Sequence, residues 1–248
     1  MKKNTMMRLA AILLVSVLLT TSVIGGTFAK YVTTESGSDN ARVAKWGINV
    51  DVATGTAFAT SYDATASVTD KVGAVIAKTV VSSTADKLVA PGTNGTLATI
   101  DISGQAEVAL SVEAKVDLTL AGWTVDTDTY YCPIIITVTE NGSTAQVFDG
   151  KTYASMALFE AAVEEAIIKA INGATSYGVD GTGKKATTNY GANKNFGTAG
   201  TDVTVDWEWP FYVDEASDVK DTALGDKAAA GSAATIAINY TVTATQLN

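Results

Sequence analysis

Residues 106–120 alternate without interruption: Val108, Leu110, Val112, Ala114, Val116, Leu118 and Leu120 share one side, and Ala109, Ser111, Glu113, Lys115, Asp117 and Thr119 the other. Successive side chains of an extended chain point to opposite faces, so a period of two held this long predicts a long strand with one buried face. The pattern recurs at Ala44, Trp46, Ile48, Val50 and Val52, at Val203, Val205, Trp207 and Trp209, and at Ile236, Ile238, Tyr240, Val242 and Ala244. Shorter strands are predicted at 75–81, 96–102, 134–139 and 145–148, with turn chemistry at Asn94-Gly95, Asn141-Gly142 and Asp149-Gly150. About eight strands, each with one apolar face, predict an all-β fold: two antiparallel sheets forming a sandwich of jelly-roll type.

One segment departs from this period. Met156, Phe159, Val163, Ile167, Ala170 and Ile171 recur at three and four, which predicts an inserted amphipathic helix over 153–172, ended near Asn172-Gly173. Residues 173–200 contain seven Gly among Thr, Asn and Lys, and are predicted to be a long mobile surface loop. With the final strand returning to the sheets, 41–248 is expected to be a single domain.

The amino terminus carries Lys2, Lys3 and Arg8 and no acid, followed by an uncharged apolar run ending in Thr27, Phe28 and Ala29. This predicts a secretory signal peptide over 1–29, cut between Ala29 and Lys30. A retained anchor is the alternative, because residues 9–29 lack charge and a span needs about 20 residues. Removal of the segment leaves 14 Lys+Arg against 26 Asp+Glu, a net charge of −12 compared with −9 for the whole chain. Such a balance disfavours nucleic acid, which binds by phosphate neutralisation, and permits divalent cations. Cleavage frees residues 30–40, a β-prone start (Lys30, Tyr31, Val32, Thr33, Thr34) with a polar, flexible tether. A freed arm of this kind is either a disordered leader or a strand that adds to the open sheet of another subunit, and the second arrangement propagates head-to-tail.

The chain has no His, which removes Ser-His-Asp and Cys-His catalysis and the HExxH zinc site. A carboxylate pair at Asp206 and Glu208 has glycosidase-like spacing, but the face it occupies reads as polar and solvated. Asp214, Asp218, Asp221 and Asp226, with Glu215, form an acidic segment that is either a solvated loop or a set of calcium ligands without EF-hand spacing. Asp126 and Asp128 near Trp123 are a weaker set. Cys132, the only cysteine, has no intramolecular partner and reads as a buried small hydrophobe. Trp123, Trp207 and Trp209 are either core residues or sugar-stacking platforms of a carbohydrate-binding or adhesion module.

Several stretches together resemble a known family. They are Gly25-Gly26-Thr27-Phe28-Ala29 before Lys30-Tyr31, Ala41-Arg42-Val43-Ala44-Lys45-Trp46, and Val89-Ala90-Pro91-Gly92-Thr93. Further along come Trp207-Glu208-Trp209-Pro210-Phe211, Asp221-Thr222-Ala223-Leu224-Gly225 and Thr243-Ala244-Thr245-Gln246. In this order they are similar to the TasA and camelysin group of Gram-positive bacteria. The resemblance implies processing by a SipW-type signal peptidase, a jelly-roll fold, and a structural role in extracellular biofilm-matrix fibres joined by donor-strand complementation, with or without paralogous subunits. Residues 30–40 would be the donor. Camelysins have also been described as metalloproteases, and the absence of His and of a zinc motif departs from that activity. The chain is thus expected to be a secreted, non-enzymatic filament subunit needing no cofactor, with calcium as an option and no membrane span after cleavage. A carbohydrate-binding module is the second reading and a secreted hydrolase the third.

Overall fold

The computed structural model describes residues 42–53, 57–63, 68–69, 75–76, 79–126 and 129–247. Residues 1–29, the Ala29–Lys30 cut, the arm from Lys30 to Thr34 and on to residue 40, and Asp128 lie outside the described residues. The unit described below is Ala44–Asn248.

Among the described residues nine main strands and two helices build this unit, and its sheets are antiparallel. The strands are β1 (Trp46–Ala53), β2 (Asn94–Ala106), β3 (Leu110–Ala121), β4 (Ile135–Glu140), β5 (Ser143–Asp149), β6 (Gly178–Asp180), β7 (Gly183–Tyr190), β8 (Asn195–Glu208) and β9 (Thr235–Gln246). The helices are α1 (Met156–Asn172) and α2 (Glu215–Ala229). One sheet has the order β1-β2-β8-β4-β5 and the other β6-β7-β3-β9. Short two-stranded pairings accompany them, including Ser61–Asp63 with Thr79–Val81.

The long alternation does what its period requires. Leu110, Val112, Ala114, Val116, Leu118 and Leu120 of β3 are buried and share one core with Ile100 and Ile102 of β2, Val203, Val205 and Trp207 of β8, and Ile136 and Val138 of β4. The predicted single strand over 106–120 is broken at 107–109, where the chain leaves the first sheet and joins the second. Because Ala106, Val108 and Leu110 all pack on the core through that corner, the sequence period continues although the strand does not.

α1 forms as its spacing predicts, three residues later than expected. Ser155 caps it by accepting from Leu158 N, and Gly173 ends it in the left-handed region at φ 70°, donating its N–H to Lys169 O. The displaced start is a 3-10 turn, Gly150–Thr152, capped by Asp149. The buried residues of α1, among them Phe159, Val163, Ile167 and Ile171, join the common core.

Three expectations are corrected. Residues 173–200, read as a mobile loop, contain β6, β7 and the start of β8; β7 pairs with β3 from Lys184–Val116 to Tyr190–Leu110. Of its glycines, Gly173 caps α1, Gly181 makes the β6–β7 turn at φ 69°, and Gly178, Gly183, Gly197 and Gly200 lie within the strands. The acidic segment read as a loop is the second helix, α2. Asn94-Gly95 is not a hairpin turn but the start of β2, paired with Glu208 and Trp207 of β8. Asn141-Gly142 is the β4–β5 turn, with both residues at positive φ (50° and 72°) as a two-residue hairpin loop demands.

Candidate functional site

A strand at the edge of a sheet leaves a row of backbone donors and acceptors without a partner, and natural proteins usually blunt such edges. The small sheet is blunted on one side. Its outermost strand there, β6, is only three residues long and carries Asp180, which pairs with Lys115 at 3.0 Å and Lys185 at 3.8 Å. Beyond the start of β7 the edge of β3 is uncovered, and α1 supplies the missing acceptors. Leu118 N donates to Glu164 Oε1 at 2.8 Å and Leu120 N to Glu160 Oε1 at 2.6 Å. At the other end of the helix, Asn172 Nδ2 donates to Val112 O and Ala186 O. Two glutamates one helical turn apart thus stand in for strand partners, while Asn172 ties the helix end to the paired strands β3 and β7. Burial pushes the Glu164 carboxyl up to about 7, partly offset by the Leu118 hydrogen bond.

The opposite edge is treated differently. β9 has twelve residues, TIAINYTVTATQ, with no charge, Pro or Gly. Among the described residues it pairs only with β3. The facing edge of the large sheet is β1, which among the described residues pairs only with β2. Tyr240 of β9 donates its hydroxyl to Ala53 O of β1 at 2.9 Å, so the two edges border one seam. Along it the core is incompletely covered. Ile48, Val50 and Val52 of β1 and Ile236, Ile238, Tyr240, Val242 and Ala244 of β9 are only half-buried, whereas Ile100, Ile102, Val112 and Val116 one strand further in are fully buried.

At the Thr235 end of β9 lies a cleft of about 630 Å³. Its wall includes Trp123, Trp209, Leu88, Pro91 and Leu224, with Asp86 and Asp221 as carboxylates. Trp123 and Trp209 meet edge-on, 5.4 Å between ring centres, and Trp123 Nε1 donates to Thr235 O at 2.8 Å. Trp209 Nε1 is buried without a protein acceptor; it comes near enough to the Asp221 carboxyl to favour the ionised form, without closing a hydrogen bond. Burial nevertheless holds Asp221 above the ordinary carboxylate range, while Tyr131 donates its hydroxyl to Asp221 Oδ1 at 2.8 Å.

The proposed calcium ligands have separate duties on and before α2. Asp214 is the N-cap, accepting from Ser217 N at 2.7 Å, and those hydrogen bonds hold its carboxyl below the usual range. Asp218 lies in the first turn, Asp221 faces Tyr131, and Asp226 is in the last third of the helix. Among the described residues no three His, Cys, Asp or Glu converge on a metal position. Asp206 accepts from Thr96 at 2.7 Å across the strand pair, and Glu208 is exposed beyond it. Cys132 is fully buried and its thiol is pushed up to about 12 by burial. Trp123, Trp207 and Trp209 are 0%, 2% and 5% exposed, so none presents a face for sugar stacking. Asp51, Asp101 and Asp202 stand side by side across β1, β2 and β8, a row of like charges that single-strand patterning does not reveal.

No helix among the described residues is long and apolar enough to cross a membrane. Compared with protein-family models, with curated proteins and with solved structures, the chain matches none.

Proposed function

We propose that the chain is a secreted structural subunit of extracellular filaments or biofilm matrix, polymerising head-to-tail by strand addition at the β1/β9 seam. The arm of one subunit, residues 30–40, lies along the seam of the next, supplies main-chain partners to the uncharged edge of β9 and covers the half-buried apolar residues beneath it. The observation that carries this reading is the contrast between edges: one side of the small sheet is closed by α1 and a three-residue strand, and the other is twelve residues long and unguarded. In this reading the two sheets form a jelly-roll sandwich, and a SipW-type peptidase frees the arm before Lys30, as the resemblance to the TasA and camelysin group implies. The role is structural and not enzymatic, on the surface or in the matrix of a Gram-positive bacterium, with homopolymer or paralogous partners. Calcium would act only as a screen for the −12 subunit charge.

The test uses protein beginning at Lys30 and a second form beginning at Ala41. Electron microscopy should find filaments of the first and none of the second. Added in excess, a synthetic peptide of residues 30–40 should raise the melting temperature of the shortened form. Equal polymerisation by both forms would remove the arm from the mechanism, and a protein that stays monomeric under all conditions would end the filament reading.

A further inference from the structure

The cleft at the Thr235 end of β9 is not explained by strand addition alone. We infer that it is the receptor for a second copy of this chain, taking the segment around Trp46 at the start of β1. The inference rests on the filament reading and adds the contact that fixes one folded body against the next.

The two features lie at opposite ends of the unit. Trp46 pairs with Ala106, at the corner that leads to Leu110, and Leu110 pairs with Gln246. The cleft residues Thr235 and Ile236 pair with Ala121 and Leu120, ten residues further along β3, or roughly 34 Å. Head-to-tail stacking therefore brings the Trp46 end of one copy to the cleft end of another.

Their chemistry is complementary. Three of the four tryptophans are at most 5% exposed, whereas Trp46 is 42% exposed. An exposed indole next to Lys45 is the kind of apolar anchor with a cationic neighbour that dominates protein interfaces. The cleft offers an apolar wall of Leu88, Pro91 and Leu224 and two carboxylates, Asp86 and Asp221, against the single base Lys87. Lys45 of the incoming segment balances the excess negative charge.

Chain length agrees. An extended arm of 11 residues reaches about 36 Å, close to the length of β9, twelve residues at roughly 3.4 Å each. An arm that enters at the cleft and runs toward Gln246 fills the seam and leaves its own Trp46 a few residues from the cleft mouth. Entry from the Gln246 end would leave Trp46 far from it.

Two measurements on the protein beginning at Lys30 decide the matter. A photo-crosslinking p-benzoylphenylalanine placed at position 46 should, in assembled filaments, attach to residues 86–91 or 224–228 of a neighbour. Attachment only near Gln246, or none in filaments that have formed, overturns the inference. Gly225 lies on the cleft wall with open space where a side chain would go, so Gly225→Leu fills the cleft without a clash and improves helix propensity. Its monomer should melt no lower than wild type, while the critical concentration for assembly rises roughly thirtyfold, the effect of losing one aromatic anchor. Ala228→Trp, on an exposed position of the same wall, should behave alike. Normal assembly by both filled variants, with arm-dependent wild-type filaments, refutes the cleft contact and leaves the filament reading intact. Failure of wild type to assemble at all refutes both.

Discussion

Glu164→Gln isolates the energetic consequence of using a helix to close a sheet edge. Glu164 is 2% exposed, accepts from Leu118 N, and has Glu160 and Asp117 as acidic neighbours with Lys184 as the balancing base. Burial raises its folded value to about 7 from an ordinary 4.5, which corresponds to about 3 kcal/mol. Because the folded value is the higher one, the protonated form is favoured by folding. The associated stabilisation is complete below about pH 4.5 and is lost as pH rises through 7. Glutamine keeps a carbonyl oxygen for the Leu118 N–H and has no charged form. At pH 8 the variant should be more stable than wild type by up to about 3 kcal/mol, a melting-temperature gain of roughly 6–12 °C for a domain of this size. At pH 5 the two should agree within about 1 kcal/mol. Urea unfolding followed by tryptophan fluorescence at both pH values measures the difference, and Trp123, Trp207 and Trp209 report on the same core. Comparison with the variant cancels other titrating groups such as Asp221. A Gln variant that is less stable than wild type at pH 8, or a difference that does not shrink toward pH 5, would show that the carboxylate is well solvated and that the edge-closing account is wrong. Glu164→Ala, which strands the buried Leu118 N–H, should cost about 1–3 kcal/mol at pH 5.

Two further outcomes follow from packing. Gly104 sits at φ 94°, and a Cβ there would run into the Gly47 carbonyl of β1, so Gly104→Ala should destabilise by more than about 2 kcal/mol and speed amide exchange in β1 before the rest of the large sheet. Cys132, buried with its thiol near 12, should resist a thiol reagent at pH 8 in the native protein and react at once in denaturant; rapid native labelling would contradict the burial.

The long strands and α1 were legible because each buries one continuous apolar face, and the periods of two and 3.6 record that burial directly. β7 was not. Its inward positions are Lys184, Ala186, Thr188 and Tyr190, of which only Ala186 is buried; Lys184 reaches Glu165 of α1 and the Tyr190 hydroxyl donates to Asn172 O, so no apolar alternation exists to be read. α2 was illegible for a related reason: only Ser217 and Leu224 of its fifteen residues are buried, which leaves an acidic surface and almost no stripe. The roles of Glu160 and Glu164 were hidden as well, since glutamates on an amphipathic helix look the same whether they meet water or a sheet edge. The seam escaped detection because an edge strand and a central strand share one alternation; Ile236 and Ile100 differ only in what lies beside them. The cleft needs Leu88, Trp123, Trp209 and Leu224 together, residues distant in the chain.

The inequality of the two sides of the small sheet also sets the topology of anything built from it. A particle that accepts a strand at one edge only, and offers one arm, has one acceptor and one donor. If assembly uses that edge and one arm alone, growth would have connectivity two at every link, without branch points, and the product would be a thread and not a gel of fused edges. A subunit lacking its arm would then accept but not donate and would terminate a chain, and the molar fraction of such stoppers would set mean thread length.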